Sequence, residues 1–451
     1  MKFSFSWLTR DGLKARALRG SSLTVLQIGG SNVLRLASNL ILTRILFPEA
    51  FGLMALVQTF LQGMKMLSDS GVTPSIIRSK NSDDADFLNT AWTVQVCRGL
   101  ILWLLTCILA LPAAGFFDEP MLAQILPVTG LSLLISGFTT TKGATAQRDM
   151  RLGLQTAISI GTQAMGIAIT VLLAWWLENV WALVIGGLIS TTSAVVLQHY
   201  LLPGMNNRFC WNRAAFNEIF SFGKFIFLSS ALGFIMNQGD RLVLGKYLPL
   251  AEFGIYNIGA MLATLPFMVS KALNDAIVFP LFRHLPIAAN PANRRKVFTA
   301  RRLVLGASLA GNALLAFAGV PLVDLLYDQR YTMAGPVVVL MCLALVPQTI
   351  FFSYRAVFMA AGDSRSPFFF VVIGATAQVP LLLLAVQTMG TFGVILVPGL
   401  VTMLLSPLRV RLLRRHNGWD TRGDLLLGTF GFATTGAACL LYWDRIILLA
   451  G

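Results

Sequence analysis

Arg35, Arg98, Arg241, Lys271 and Arg355 lie within apolar stretches of the chain, and so do Asp240 and Asp275. An Arg or Lys at the centre of a membrane-spanning helix costs about 2.5–3.5 kcal/mol on insertion scales, so such residues face a cavity or a partner. Arg35 is the clearest case. Gln27, Ser31, Arg35 and Asn39 recur every four residues and share one helix face, which must look onto water or onto other helices. Arg98 has Gln95 one turn earlier on its face. Asp240 and Arg241 are adjacent and cannot point the same way, so one of them pairs with another helix. Lys271 and Asp275 stand i,i+4, the spacing of a local ion pair. Arg44 and Lys246 lie near span ends, where snorkelling explains them; Lys65, Asp69 and Arg355 lie near cytoplasmic ends and carry less weight. The interior excess is cationic and suits an anionic ligand. Arg binds phosphate oxygens bidentately, and in a membrane the natural candidate is the pyrophosphate of a lipid-linked sugar. Arg35, Arg98, Arg241 and Lys271 are therefore the candidate substrate-binding cations, with Gln27, Ser31, Asn39 and Asp240 as polar cavity lining.

The elements that must position these residues are set by composition. Hydrophobic residues make up 56% of the 451 positions and charged residues 12%, roughly half the charge of a soluble domain. Apolar runs recur over about 22–46, 50–67, 88–113, 121–140, 154–176, 180–202, 220–245, 252–280, 301–323, 334–360, 367–388 and 391–412, most of them near the roughly 20 residues a transmembrane helix needs. The fold class is an all-α polytopic membrane protein. Short alternating segments of the β-barrel kind are absent. A thirteenth run, about 424–443, reads as a further span or as a short peripheral helix. The net charge of +15 reflects membrane topology rather than nucleic acid. Alternate connections, starting with the N-terminus, hold most of the cations, which puts the N-terminus in the cytoplasm. The first 21 residues lack the apolar core of a signal peptide and read as an interfacial amphipathic segment anchored by Phe3, Phe5 and Trp7. The 5 Cys lie singly, without metal or disulfide spacing.

"LTRILFPEAFGLMAL" (42–56) returns 202 positions later as "LGKYLPLAEFGIYNI" (244–258): Arg44 matches Lys246, Leu46 matches Leu248, and Phe51-Gly52 matches Phe253-Gly254. Six spans separate the two turns. An even number means that both halves enter the membrane from the same side, which is a parallel repeat. Convergent turn chemistry is the plainer alternative. The expected organisation is a cytoplasmic segment 1–21, a six-helix lobe 22–202, a cytoplasmic linker 203–219, a six-helix lobe 220–412, and a basic loop with the extra helix over 413–451.

No GxxxxGK[ST], HExxH or GxSxG occurs, so the residues imply no enzyme, metal or cofactor. Asp84–Asp86, with Ser82 ahead, mimics a transferase metal motif but reads as a helix N-terminus. Without an ATPase, energy must come from an ion gradient, the membrane potential or the substrate's own gradient.

The stretches "RILFPEAFGLMAL" (44–56), "DSGVTPSIIR" (69–78), "FLNTAWTVQVCRGL" (87–100), "QRDMR" (147–151), "FSFGKFIFLSSALGFIMNQGDRLVLGKYL" (220–248) and "FGIYNIGAML" (253–262) resemble the polysaccharide-transporter branch of the multidrug/oligosaccharidyl-lipid/polysaccharide exporter superfamily, the Wzx-type flippases. The resemblance covers the chain to about residue 260. It implies two six-helix lobes forming a V around a central cavity. It also implies transfer of an undecaprenyl-pyrophosphate-linked repeat unit to the outer leaflet of a bacterial inner membrane, alongside glycosyltransferases and a polymerase. The family has no single invariant catalytic motif, so no site residue is carried over. A drug/cation antiporter of the same superfamily would need interior carboxylates, which are scarce here. A membrane-bound glycan polymerase or ligase would show a large polar far-side loop, which is absent.

Overall fold

The structure is a computed structural model that describes residues 13–68, 72–79, 84–149, 151–285, 287, 290–363 and 365–450; for 13–25, 78 and 221–229 it describes the backbone alone. The expected interfacial segment thus lies mostly outside the described residues, as do Asp69 and Ser82. Among the described residues every regular element is helical. Two compact units emerge, one of Met1–Leu46 with Val57–Ala231 and one of Phe47–Leu56 with Leu232–Gly451.

The first unit holds α1 (Leu13–Ile45), most of α2 (Pro48–Leu67), α3 (Val72–Arg78), α4 (Ala85–Phe117), α5 (Met121–Gly137), α6 (Lys142–Arg148), α7 (Gly153–Leu177), α8 (Trp181–Leu201) and the start of α9 (Arg213–Tyr247). Asp84 caps α4 by accepting the Asp86 amide at 3.2 Å, so the acidic triplet is a helix start. α4 ends at Asp118 with φ 55°. Glycines let α4 and α5 approach closely: a Cβ at Gly99 would stand 2.9 Å from the Leu133 carbonyl and 3.0 Å from the Gly137 Cα. The segment after α8 is tied to α4 through its backbone. The amides of Arg208, Cys210 and Asn212 donate to Asn89, Thr93 and Thr90 at 2.9, 3.1 and 3.0 Å. These polar side chains satisfy backbone groups that would otherwise lack partners.

The second unit continues from α9 through α10 (Leu250–Ala263), α11 (Leu265–Leu273), a π turn (Asn274–Val278), α12 (Phe279–His284), α13 (Pro291–Leu326), a 3₁₀ turn (Gln329–Tyr331), α14 (Ala334–Phe352), α15 (Arg355–Ala360), α16 (Arg365–Leu404), α17 (Ser406–Arg415), α18 (Thr421–Leu441) and α19 (Trp443–Ile446). The two similar turns meet inside this unit. A Cβ at Gly52 would collide with the Leu250 carbonyl, and one at Gly254 would collide with the Pro48 carbonyl. A shift of 202 converts either clash into the other. The same reciprocity holds for Gly52 against the Gly254 amide, 3.2 Å, and Gly254 against the Gly52 amide, 2.9 Å. Such an exchange of partners is the hallmark of a two-fold contact between equivalent surfaces.

Every expected apolar run falls on a helix. Among the described residues nine helical runs are long and apolar enough to cross a membrane, or ten if α5 and α6, bent by 58°, count as one; this is a multi-pass membrane protein. One difference from the expected twelve has a physical cause in composition: α1 carries the polar stripe, which dilutes its hydropathy. Residues 365–415 form one apolar run of 51 residues, about 75 Å at 1.5 Å per residue and far beyond a bilayer of about 30 Å. Gly390, at φ 56° and ψ −143°, breaks that run, within a residue of the expected boundary.

The thirteenth run is α18, 21 residues packed on α13 and α14. It is clamped at its start. Arg301, fully buried on α13, donates to Asp424 at 2.6 Å and to Ser353 at 2.8 Å. Its guanidinium lies 3.7 Å from the centre of the Tyr354 ring, and the Tyr354 hydroxyl donates to Asp424 at 2.6 Å. Arg302 makes paired bonds of 2.7 and 2.5 Å to Asp420, the residue that caps α18. Burial works to raise the Asp420 carboxyl, but the Arg302 bonds and the Gly423 amide prevail and hold its pKa below the ordinary carboxylate value.

Candidate functional site

The first unit forms an open cavity of about 540 Å³. α2 contributes Gln62 and Lys65 to its wall, and α4 contributes Gln95 and Arg98. The end of α5 and the turn after it contribute Ser136 and Thr139 to Thr141; α6 adds Gly143 and Gln147, α7 Gln155 and α8 Gln198. Arg98 sits thirteen residues along α4 from Ala85, about 20 Å of helix. Two cations therefore converge on one space whose other polar lining is neutral, and among the described residues none of those lining it is a carboxylate. The arrangement can hold an anion with hydroxyl or amide groups nearby.

Several polar groups are committed to holding the wall. Gln95 donates to the carbonyls of Thr139, Gly137 and Ser136 at 3.1, 3.3 and 3.4 Å; it closes the last turn of α5 where helix carbonyls lose their partners. Thr140 and Thr141 hydroxyls and the Thr141 amide all engage Asn207 within 3.2 Å. Lys142 is buried, its ammonium donating to the His199 carbonyl at 2.7 Å and to Asn206 at 2.8 Å. These bonds fix α6 and the end of α8 against each other.

The expected site residues separate in the structure. Arg98 lines the cavity. Arg35 is exposed on α1 and is not among the lining residues. Gln27 and Ser31 face α7: Gln27 donates to Ser159 at 3.1 Å and accepts from Thr156 at 3.3 Å, while Gln163 donates to the Ser31 carbonyl at 3.0 Å. This end of the stripe is a helix–helix seam. Asn39, further along, gives its carbonyl to Thr43 at 2.8 Å.

Asp240, Arg241 and Lys271 belong to the second unit. Asp240 turns to α10, where the buried Tyr256 hydroxyl donates to it. Arg241 turns along α9 to Gln238 at 2.8 Å, and its Nε is buried without a hydrogen-bond partner among the described residues. Adjacent charges thus diverge as their helical positions require, and the interhelical partner is a phenol rather than an ion. Lys271 and Asp275 are both exposed and form no ion pair among the described residues. The helix widens to π geometry at Asn274, which carries Asp275 away from the i,i+4 register. Arg355 starts α15 and is exposed.

Lys65 is the functional candidate that position alone set aside. Gln58, Gln62 and Lys65 recur at i, i+4 and i+7 on α2, the same kind of stripe that singled out Arg35, and that periodicity was the available signal.

The profile of a polysaccharide biosynthesis protein family matches residues 41–336, more than half of the chain. The succinoglycan biosynthesis transport protein ExoT of Rhizobium meliloti (strain 1021) is 23% identical over 368 residues, covering 80% of this chain and 72% of ExoT. The lipopolysaccharide biosynthesis protein WzxC of Escherichia coli (strain K12) is 22% identical over 380 residues, covering 83% of this chain and 75% of WzxC. Among solved structures, the lipid II flippase MurJ in an inward closed conformation superposes with a TM-score of 0.69 at 12% identity, over 95% of this chain and 99% of that one. An inward-facing multidrug resistance MATE transporter of the MOP superfamily gives 0.61 at 13% identity, over 90% and 95%. At such identities the two structures speak to the fold, and it is the sequence profile that assigns this chain to the polysaccharide biosynthesis protein family.

Proposed function

We propose that this protein is a flippase that carries undecaprenyl-pyrophosphate-linked oligosaccharide repeat units across the bacterial inner membrane for lipopolysaccharide, O-antigen or exopolysaccharide biosynthesis. Its N-terminus lies in the cytoplasm, it makes and breaks no covalent bond, and it works between glycosyltransferases that assemble the unit and a polymerase that consumes it. The convergence of Lys65 and Arg98 on one cavity otherwise lined by glutamines, threonines and serine carries this reading. Arg98 offers a planar fork to phosphate oxygens and Lys65 a point charge beside it. The neutral amides and hydroxyls offer donors and acceptors to saccharide hydroxyls. The names of ExoT and WzxC support the same reading. Arg35, Arg241 and Lys271 remain proposed further contacts for the anion along its route. A drug/cation antiporter would need a carboxylate where this cavity has two cations.

Export in living cells tests the proposal. Arg98→Ala and Lys65→Ala should each abolish surface polysaccharide and leave lipid-linked repeat units on the inner leaflet, with the protein still present in the membrane. Arg98→Lys should restore part of the export, because the charge survives and the fork does not. Normal export by both alanine variants would contradict the reading.

A further inference from the structure

Resting on that reading, we infer that Gly143, Gln155 and Gln198 form a saccharide subsite at the neutral side of the cavity, reading the sugar next to the diphosphate independently of Lys65 and Arg98. The cations come from α2 and α4, whereas these three residues come from α6, α7 and α8. Charge in the lining is confined to α2 and α4, while α6, α7 and α8 bring only uncharged groups, which matches a headgroup that is charged at one end and neutral at the other. At about 540 Å³ it falls within the roughly 300–1,000 Å³ of small-ligand clefts, room for a diphosphate with its first sugar rather than an extended glycan.

Gly143 provides the space. A Cβ there would stand 3.3 Å from the Gln155 Nε2 and 3.8 Å from the Gln198 Oε1, so the missing side chain leaves a gap between a donor and an acceptor. The backbone does not ask for glycine: Gly143 is helical with no positive φ, and glycine costs up to about 1 kcal/mol relative to alanine inside a helix. The amides beside the gap are available. The Gln155 Oε1 is buried and has no hydrogen-bond partner among the described residues, so the carboxamide can turn toward a ligand in the cavity without giving up a bond at that oxygen, relieving a deficit of the kind that costs about 1–3 kcal/mol. Gln95 and Lys142, by contrast, are spent on carbonyls and Asn206. Planar carboxamides on either side of a gap suit the in-plane hydroxyl or acetamido groups of a pyranose.

Binding to the purified full-length protein in detergent separates the two ends. The probes are a short-chain polyprenyl diphosphate and the same lipid diphosphate carrying one N-acetylglucosamine, glucose or galactose. At least one sugar should tighten wild-type binding by about tenfold over the bare diphosphate. Gln155→Leu and Gly143→Ala should each remove that gain and keep the bare-diphosphate affinity, which also certifies that they fold. Gln155→Asn should keep part of the gain. Lys65→Ala with Arg98→Ala should weaken every probe. Variants that retain the sugar gain, or that lose bare-diphosphate binding to the same degree, would overturn the subsite alone. A wild-type protein that binds the diphosphate without any sugar gain would also overturn it. Binding of no probe by the wild type would overturn the carrier reading and the subsite with it.

Discussion

Arg98 and Arg301 show how differently two cations on apolar helices can be used. Arg301 is enclosed by Asp424, Ser353 and the Tyr354 ring, which makes it a clamp. Removing it leaves Asp424 buried without its counter-charge, and breaking such a pair costs about 3–5 kcal/mol. Arg301→Ala should therefore lower the thermal midpoint of the purified protein sharply, while Arg301→Met combined with Asp424→Leu should recover most of the loss; an unchanged midpoint in the single variant would show that the clamp is slack. Arg98 lines the cavity, and Arg98→Ala should lose export while the protein still accumulates in the membrane. The sequence signalled the depth of Arg98 and the Gln95 beside it. It could not signal the role of Arg301, which reads as one more topological cation because its acid stands 123 positions away. Lys65 was hidden by its place near a helix end, although its i, i+4, i+7 stripe was visible. The Gln27 stripe was visible too, but periodicity cannot say whether a polar face meets water or another helix, and here it meets α7.

Among elements, the helices were legible because length and hydropathy fix them, and the recurring turn was legible because its residues are spelled twice. That the two copies would touch was not, since reciprocal packing of Gly52 and Gly254 depends on tertiary approach. Each glycine admits a backbone carbonyl where a methyl would collide, and overpacking of this kind costs about 1–3 kcal/mol. Gly52→Ala and Gly254→Ala should each reduce stability by that order, by similar amounts, in a thermal melt; a loss confined to one of them would contradict the equivalence of the turns. The start of α18 makes a prediction about pH. The Asp420 pKa is lower in the folded protein than its ordinary value of about 3.9. Its contribution is then present above the ordinary value and disappears as pH falls through the depressed one. Acidification below about pH 4 should destabilise wild type more than Asp420→Asn, read from midpoints between pH 3 and 6; parallel curves would exclude Asp420 as the responsible group.

At the scale of the whole molecule, the proposed orientation rests on the sign of its loops. Residues 281–300 and 413–423 hold dense cation clusters, and such clusters stay in the cytoplasm. A single cysteine at Asn290, in a background without the native cysteines, should resist an impermeant thiol reagent in intact cells and react after permeabilisation. Labelling of intact cells would reverse the orientation. The central claim is that this chain moves a lipid diphosphate-linked saccharide between leaflets, with Arg98 in the cavity that receives it. Its most direct test is transfer by the purified protein in liposomes, with a fluorescent lipid diphosphate-linked oligosaccharide and an impermeant quencher or glycan-cleaving enzyme outside. Wild type should make the inner-leaflet pool accessible, and Arg98→Ala, present at equal density, should leave it protected as in protein-free vesicles. Equal accessibility with wild type and with Arg98→Ala, or none with wild type under an imposed ion gradient and potential, would contradict the account.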